Sequence, residues 1–363
     1  MEGALGLTND KELDLPKLTA ERLLAYARSI FEAAGAPAGA AQRVAESLVL
    51  SNLVGHDSHG VIRIPQYIKA IRAGALDPAV APSLVRETAT TALIDGHWGW
   101  GQVAAWRAVE VAVAKATDAH LAAVSLVNSY HVGRCGEYVE EVARRGMIGL
   151  LTLNNSGGAA QVAPFGGRER RLASNPIAFA APTSGAPLLV DMTSSVVAEG
   201  KVRVLRNQGK LAPEGWLIDA AGRPTRDPNA LYSSPPGALL PLGGSLGHKG
   251  YGLSVLVEVL SGALSGAGCT NLAAKHVGNA VFLEAIRVDA FTTTEQYYAE
   301  VDGLVASLKS CPPAEGFEEV LLPGEPEHRT EKRRRAEGIE IDAETWRQIG
   351  DVATSLSLAI PEA

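Results

Sequence analysis

Short apolar runs alternate with stretches of helical periodicity from about residue 89 onward, and no other feature of the chain restricts its possible folds as much. Apolar runs of strand length lie at 91–95, 121–127, 148–153, 177–181, 188–191, 280–288 and 317–322. Stretches with helical spacing lie at 102–116, 136–145, 194–205, 251–264 and 294–308. This alternation predicts an α/β protein. The Pro- and Gly-rich residues 211–246 are interpreted as one long loop.

The first 85 or so residues carry helical patterns only. Thr19 can cap a helix that runs to about Ala34, a second helix begins near Pro37, and a third follows Pro65. Charged amphipathic patterns return at 331–337 and 343–356. A chain of 363 residues exceeds what one hydrophobic core usually serves. We therefore predict a helical unit formed by residues 12–85 and 323–357 and a sheet-containing domain formed by residues 86–322.

Composition and charge narrow the class of ligand. The formal net charge is -7, so the chain has no overall basic field for nucleic acid or an anionic membrane, and a small molecule is the expected partner. The cysteines, Cys135, Cys269 and Cys311, are widely spaced and odd in number, which argues against a disulfide framework or structural zinc. The first ten residues lack the pattern of a secretory signal, and no apolar run approaches the roughly 18 residues that span a bilayer. A cytoplasmic protein is expected.

The segment Ser58-His59-Gly60-Val61-Ile62-Arg63 ends the second helical pattern. If it is helical, His59 and Arg63 share one face because four residues separate them. Polar groups at positions that packing would fill with Leu or Ala suggest a functional site. The alternative is that His59 satisfies a buried carbonyl group and Arg63 is a solvated surface charge.

A second polar cluster, Asn128 to Gly133, follows the predicted strand 121–127. Ligands collect at strand ends in α/β sheets. The pKa of a histidine lies near neutrality, so His131 is a candidate general acid or base. A core or capping histidine is the alternative.

The stretch Gly247-His248-Lys249-Gly250 opens a predicted helix. Free backbone N–H groups, a helix N-terminus and a lysine commonly hold phosphate, so an anionic or nucleotide ligand is indicated. The chain has no P-loop and no G-x-G-x-x-G after a strand, hence no recognised dinucleotide fingerprint. The glycines could equally serve only a turn.

Hydrolytic chemistry is a rival interpretation. His56, His59, His97 and His131 could bind zinc, but no H-E-x-x-H or carboxylate-backed ligand set occurs. Ser58 beside His59 raises nucleophilic hydrolysis, but neighbours in a helix point apart and no G-x-S-x-G elbow is present.

Several ordered motifs together resemble one family. They are Ser58 to Arg63 followed by Pro65 and Tyr67, Asn128 to Gly133, Thr152 to Ser156, Ser174-Asn175-Pro176, Val190 to Ser194, His248 to Gly252 and Leu322 to Glu325. From about residue 17 to 350 the chain resembles the malate/L-lactate dehydrogenase family of the second type, whose relatives include sulfolactate and ureidoglycolate dehydrogenases, diketogulonate reductase and piperideine/pyrroline-2-carboxylate reductases.

The resemblance implies NAD- or NADP-dependent interconversion of a 2-oxo acid and its 2-hydroxy acid on a non-Rossmann α/β fold with a mixed sheet. The domain 86–322 would then bind NAD(P), the helical unit would lie on the substrate side, and the protein would be a homodimer. An inactive relative acting as a binding or assembly protein is the non-enzymatic alternative.

Site residues are carried over position by position. Catalytic histidines of relatives match His59 and His131, and a Ser-His-Asp set matches Ser58, His59 and Asp191. Of these, His131 is our choice for proton donor to the alkoxide formed at C2, with Arg63 as the carboxylate clamp and Asn175 as a further substrate contact. Cofactor contacts match Ser156, Pro187, Leu188, Leu189, Val190, Asp191, Met192, Thr193, His248, Lys249, Gly324, Glu325 and Pro326. No metal is implied.

Two details bear on substrate and cofactor. Val132 replaces the family's usual aromatic residue and Arg134 adds a charge beside it, which leaves the substrate open. The segment after His131 lacks the aromatic residues of the imine reductases, so an oxo acid is favoured over a cyclic imine. Another 2-oxo acid, such as a sugar-acid derivative, is a further alternative. If the cofactor is NADP, the candidates for binding its 2'-phosphate are Lys201, Arg203 and Arg206. These residues could instead form a solvated helix face.

Overall fold

The computed structural model describes residues 16–156, 160–270 and 276–361. Their α-helices are α1 (Ala20–Ala33), α2 (Ala38–Leu53), α3 (Ile64–Arg72), α4 (Gly101–Ala119), α5 (Gly136–Arg144), α6 (Glu199–Asn207), α7 (His248–Val257), α8 (Thr294–Lys309), α9 (Glu325–Glu337) and α10 (Ala343–Ser355). Their strands are β1 (Lys17–Leu18), β2 (Ser83–Glu87), β3 (Thr91–Asp95), β4 (Leu121–Ser129), β5 (Met147–Ser156), β6 (Pro176–Ala181), β7 (Leu188–Thr193), β8 (Leu217–Ile218), β9 (Pro224–Thr225), β10 (Ala238–Leu239), β11 (Gly278–Arg287) and β12 (Ile339–Glu340). The predicted start of the helical unit at residues 12–15 lies outside the described residues.

Seven strands form the main sheet in the order β2-β3-β4-β11-β5-β6-β7. β3 and β4 run parallel and the other neighbouring pairs run antiparallel, so the sheet is mixed. Helices α4 and α5 bury apolar faces in the same core as the central strands, with Val109, Tyr138 and Leu283 fully buried. The predicted α/β fold with a mixed sheet is confirmed.

A second core lies among the helices at the two ends of the chain. Residues of α1, α2, α3 and α10 pack together there, and Trp100 at the start of α4 joins them. Burial of Leu23, Ile30 or Phe31 stabilises the fold by roughly 1.5–3 kcal/mol for each side chain. As predicted, Thr19 caps α1 by accepting a hydrogen bond from Arg22 N at 3.3 Å. The short pairing of β1 with β12 joins the chain ends across this core.

The predicted strand at 317–322 is wrong. These residues form an irregular exposed segment because no strand of the described chain pairs with them. Instead, Pro323 O accepts a hydrogen bond from Leu189 N at 3.1 Å, which fixes the segment against the outer strand of the main sheet. The predicted helix at 194–205 begins only at Glu199, because Ser195 first pairs with Pro241 in a β-bridge.

Residues 211–246 are not one loop. They contain the three-stranded sheet β10-β8-β9, whose two-residue strands are too short to show a period in the sequence. Strand β2 was not predicted either, because all five of its residues are exposed and they show no alternation of apolar and polar residues.

Candidate active site

The segment 58–63 is not helical, so the prediction that His59 and Arg63 share a helix face is wrong. Helix α2 ends at Leu53, and two 3-10 turns, Asp57–His59 and Val61–Arg63, follow with extended Gly60 between them. The cause is Asn52, whose Oδ1 accepts from Val61 N at 2.9 Å. A Cβ on Gly60 would lie 2.2 Å from that oxygen, so only glycine allows this close approach.

Polar contacts from α2 and α9 hold this turn in place. Asn52 Nδ2 donates to Asp57 Oδ1 at 2.6 Å, and Arg334 binds both oxygens of the same carboxylate at 2.7 and 3.0 Å. His56 Nε2 lies 3.1 Å from Glu327 Oε1. Sequence reasoning missed Asn52 and Arg334. A buried Asn at the end of the apolar stripe of α2 was the available signal for Asn52, whereas nothing local marks Arg334.

Ser58 and His59 do contact each other, contrary to expectation. Ser58 Oγ lies 3.0 Å from His59 Nδ1, which the tighter 3-10 turn allows. The third member of the predicted set is engaged elsewhere, because Asp191 Oδ2 accepts from Gly136 N at 2.7 Å. Within the described part of the chain no hydrogen bond joins His59 to Asp191.

His131 follows strand β4 and meets His59 across the boundary between the two cores. The two rings stack, with centroids 5.7 Å apart and planes inclined by 21°. His131 Nδ1 lies 2.8 Å from Tyr67 Oη on α3, and Gln102 Nε2 on α4 lies 2.8 Å from the same oxygen. A Cβ on Gly101 would lie 2.4 Å from His131 O, so this glycine lets α4 approach the histidine backbone.

Both imidazoles favour their uncharged form in this setting. Burial, reinforced by the positive charge of Arg63 and then by His56 and Arg134, lowers the pKa of His59 from 6.5 to about 3. Burial, followed by Arg63 and His59, also lowers the pKa of His131 well below 6.5. Without a bound anion, both rings are therefore neutral near pH 7.

Arg63 presents one free edge of its guanidinium. Its Nε donates to Ser58 O at 2.7 Å and its Nη1 to Gln66 Oε1 at 2.7 Å, which leaves Nη2 without a hydrogen bond among the described residues. Arg134 is buried at 2 % exposure, and none of its nitrogens has a hydrogen-bond partner in the described chain. Glu140 Oε2, 3.6 Å from Arg134 Nη2, is its ion-pair partner.

Two predicted cofactor segments come together at the edge of the main sheet. Strand β7 pairs with β6 only, so within the described chain its other edge keeps most of its N–H and C=O groups free. Gly324 approaches this edge with φ +90°, and a Cβ there would lie 2.8 Å from Leu189 Cβ. Segments 187–193 and 324–326 thus contact each other at this sheet edge.

The remaining predicted cofactor contacts differ in their exposure and in their hydrogen-bond partners. His248 and Lys249 are exposed at the start of α7, with His248 against Phe165 at 5.7 Å between centroids. Glu325 is held by Lys309 and Arg329, and its pKa is lowered first by the Leu322 N–H and then by those cations.

Asn175 and Ser156 are buried. Asn175 Nδ2 donates to Ser254 Oγ at 2.9 Å and to Glu258 Oε1 at 2.8 Å, while its Oδ1 has no partner among the described residues. Ser156 ends β5 opposite Gly278, and the residues that follow it, 157–159, lie outside the described chain.

Of the four histidines considered as zinc ligands, His59 and His131 stack on each other, whereas His56 and His97 have other partners. His56 Nε2 contacts Glu327 Oε1, and His97 Nε2 lies 2.7 Å from Ser83 Oγ. No group of three His, Cys, Asp or Glu side chains suited to a metal occurs among the residues that the structure describes. Over the same residues, no helix has the length and apolarity to cross a membrane.

Comparisons with known proteins agree with this architecture. Residues 18–350 match the family model described as malate/L-lactate dehydrogenase. A malate dehydrogenase of Pyrococcus abyssi is 35% identical over 360 residues and covers 96% of each chain. An L-lactate dehydrogenase of Cupriavidus necator is 37% identical, over 95% of this chain and 99% of that one. The solved structure of sulfolactate dehydrogenase from Methanocaldococcus jannaschii superposes with a TM-score of 0.85 at 34% identity, over 95% and 98% of the two chains.

Proposed function

The chain belongs to the malate/L-lactate dehydrogenase family, and from this premise we propose that it interconverts a small 2-oxo acid and its 2-hydroxy acid by hydride transfer with NAD or NADP. The relatives are named as dehydrogenases of malate, L-lactate and L-sulfolactate, which are all 2-hydroxy acids. The observation that carries the proposal is the stacked pair His59 and His131 beside the free edge of Arg63.

His131 is the proposed acid and base. When bound, the nicotinamide accepts or supplies the hydride at C2 of the substrate. A neutral His131 takes the proton from the 2-hydroxyl group during oxidation, and its imidazolium returns a proton to the alkoxide during reduction. Because burial lowers its pKa, His131 is in the basic form near pH 7. His59, with Ser58 at its Nδ1, holds and polarises the substrate from the other side.

Arg63 is the proposed clamp for the C1 carboxylate. Its Nη2 is free, and its remaining contacts hold the guanidinium plane fixed, which favours planar recognition of a carboxylate. Asn175 can contribute only Oδ1, since its Nδ2 is used internally. Asp191, anchored by Gly136 N–H, is proposed to orient this region without a direct bond to His59.

The outer edge of the main sheet is the proposed place for the dinucleotide, because its free backbone groups can donate and accept hydrogen bonds. We assign it the free backbone groups of residues 187–193, the glycine turn at 324–326, Ser156, His248 and Lys249. The close approach at Gly324 leaves no room for a side chain between that turn and β7. The exposed Lys249 ammonium near the start of α7 suits a phosphate.

The two hydrophobic cores support the division into a helical unit, 12–85 with 323–357, and an NAD(P)-binding domain, 86–322. A homodimer to which the helical unit contributes, and a cytoplasmic location, are proposed from the sequence. Sedimentation at micromolar concentration tests the first, and a monomer would contradict it.

A substrate panel tests the function. Purified protein is assayed with 2-oxo acids that carry methyl, carboxymethyl or sulfomethyl groups and with cyclic imines, each with NADH and NADPH. Oxidation of one reduced cofactor by an oxo acid, abolished in His131→Ala, is expected. Turnover of the imines alone, or of no compound, would contradict the proposal.

A further inference from the structure

His131 Nδ1 is hydrogen-bonded to a tyrosine, whose hydroxyl group in turn contacts an amide. Tyr67 Oη lies 2.8 Å from His131 Nδ1 and 2.8 Å from Gln102 Nε2. Tyr67 is fully buried, packed edge-on against Trp100 and Tyr130. Burial raises its pKa, so its hydroxyl keeps its single proton. That proton can go to one neighbour only.

The direction of this proton depends on which amide atom of Gln102 faces Tyr67. If the NH2 group faces Tyr67 it donates to the hydroxyl, so Tyr67 gives its proton to His131 Nδ1 and the neutral ring carries its proton on Nε2. If the amide is turned by half a rotation, Gln102 Oε1 accepts the Tyr67 proton. Tyr67 then accepts from His131 Nδ1–H, and the Nε2 lone pair is free.

Only the second arrangement suits acid and base chemistry at Nε2. A base there needs a free Nε2 lone pair, and its conjugate imidazolium carries a proton on both nitrogens. In the neutral Nδ1–H tautomer and in the imidazolium alike, Nδ1–H needs an acceptor. The Tyr67 oxygen is the available acceptor, provided that the Tyr67 hydroxyl group donates its own hydrogen to Gln102. The first arrangement places two donors, Tyr67 O–H and Nδ1–H, against each other as soon as His131 is protonated.

The polar surroundings of Gln102 favour the turned amide. With its nitrogen toward Tyr67, Gln102 Oε1 is buried without a partner, and so is Glu137 Oε1. Ser47 Oγ donates to Glu137 Oε2 at 2.9 Å, and a Cβ on Gly133 would lie 3.2 Å from Ser47 Oγ and 3.6 Å from Gln102 Nε2. Turning the amide pairs Oε1 with the Tyr67 hydroxyl group, so this buried acceptor no longer lacks a partner.

We propose that Tyr67 and Gln102 are positioning residues that select the Nδ1–H tautomer of His131, with Gln102 Oε1 receiving the Tyr67 proton. The inference rests on the proposed acid and base role of His131. The proposal predicts that Gln102→Met lowers kcat more than Tyr67→Phe does. Gln102→Met, similar in size and in helix propensity, removes the acceptor and directs the Tyr67 proton to Nδ1, which locks the wrong tautomer. Tyr67→Phe removes the competing donor as well as the acceptor.

Kinetics of the two single variants and the double variant test this order. Gln102→Met should lower kcat roughly 100-fold with a small change in KM, because a histidine in the wrong tautomer loses its acid and base function. Tyr67→Phe should lower kcat only about 5- to 10-fold, as expected for one lost hydrogen bond. The double variant should return to about the level of Tyr67→Phe. A double variant as slow as or slower than Gln102→Met would overturn the proposal, and thermal unfolding of each variant verifies that it is folded.

Nitrogen-15 NMR of the histidine side chains supplies a readout that does not depend on turnover, with His131→Gln identifying the resonance. The wild-type free enzyme should show Nδ1–H and Gln102→Met should show Nε2–H. The same tautomer in both proteins would refute the inference. Its pH series must account for His59, Arg63 and Tyr67, the titratable and charged groups that face His131. If instead His131→Ala keeps its kcat, the proposed function fails while the NMR result still decides the tautomer.

Discussion

His59 and His131 stack at 5.7 Å although one follows the N-terminal helices and the other follows a strand of the main sheet. Burial lowers the pKa of each ring, and the positive charge of Arg63 lowers it further. Two imidazolium ions this close would repel strongly, so at most one of the two rings is in the charged imidazolium form at neutral pH. A bound carboxylate near Arg63 offsets part of this repulsion and favours the protonated form needed for reduction.

The first prediction separates proton transfer from substrate binding. His131→Ala should lower kcat by about 10²- to 10⁴-fold while the cofactor KM changes little, since a general acid is lost. Arg63→Ala should chiefly raise the KM for the oxo acid. Arg63→Lys is the matched control, because it keeps the positive charge but not the planar guanidinium group. Its KM for the oxo acid should lie between those of the wild type and Arg63→Ala. Steady-state kinetics in which the oxo acid and the cofactor are varied in turn, each with the other saturating, measures kcat and both KM values. If His59→Ala abolishes the pH dependence of kcat and His131→Ala does not, the histidines exchange roles.

The second prediction concerns pH. Because the pKa values of both histidines are lowered, the neutral base is the main form of the free enzyme above about pH 6, and kcat/KM for oxidation of the hydroxy acid should be flat from about pH 6 to 8. For reduction, the imidazolium is the minor form, so log kcat/KM should fall by about one for each pH unit over that range. A plateau for reduction below pH 7 would show that neither pKa is lowered.

The third prediction concerns Lys249. Lys249→Ala should raise the KM for NAD(P)H severalfold with kcat largely kept, because a phosphate contact is remote from the reacting carbon. The exposed Lys69 on α3 provides the control, and Lys69→Ala should leave the cofactor KM unchanged. An unchanged cofactor KM with a collapsed kcat in Lys249→Ala would assign this lysine a different role.

The fourth prediction concerns the extra phosphate of NADP. Arg203 binds Glu199 and Arg206 stacks on Tyr232, whereas the Lys201 ammonium has no ion partner among the residues described. Its neighbour Gly200 lies close to the site, since a Cβ there would be 3.9 Å from Ser58 Cβ. If NADPH is preferred, Lys201→Glu should shift preference toward NADH more than Arg206→Glu does. Ratios of kcat/KM for the two cofactors measure this, and no shift at Lys201, Arg203 or Arg206 removes the assignment.

The fifth prediction concerns the turn at Gly324. Gly324→Ala should lower the free energy of unfolding by about 1–2 kcal/mol through the positive φ alone, and the contact with Leu189 should add to this and raise the cofactor KM. Gly74→Ala has a comparable φ of +68° but nothing within 4 Å of its Cβ, so it should cost stability without changing the KM. Thermal denaturation and cofactor titration compare the two. Equal effects on KM would place the cofactor elsewhere.

Much of the fold could be predicted from local pattern. Apolar periodicity located α1, α2, α4 and the central strands, because each buries one face against a core, and Thr19 marked a helix start through its side-chain oxygen. Prediction failed where burial is absent or the element is very short, as in exposed β2 and the two-residue strand β8. It also failed at 317–322, where an apolar run lacks a pairing strand.

The sequence by itself determined which chemical groups the site can use. Histidine at 59 and 131, arginine at 63 and lysine at 249 define a chemistry that local motifs suffice to suggest. Tertiary structure alone decided how these groups meet. The contact between Asn52 and the backbone at Gly60 and Val61 favours two 3-10 turns over the predicted helix, and Ser58 contacts His59 there. The packing of α3 and α4 brings Tyr67 to His131 and Gln102 to Tyr67. Such contacts join segments distant in the chain, and their energies depend on burial and on the partners available after folding, which no local pattern records.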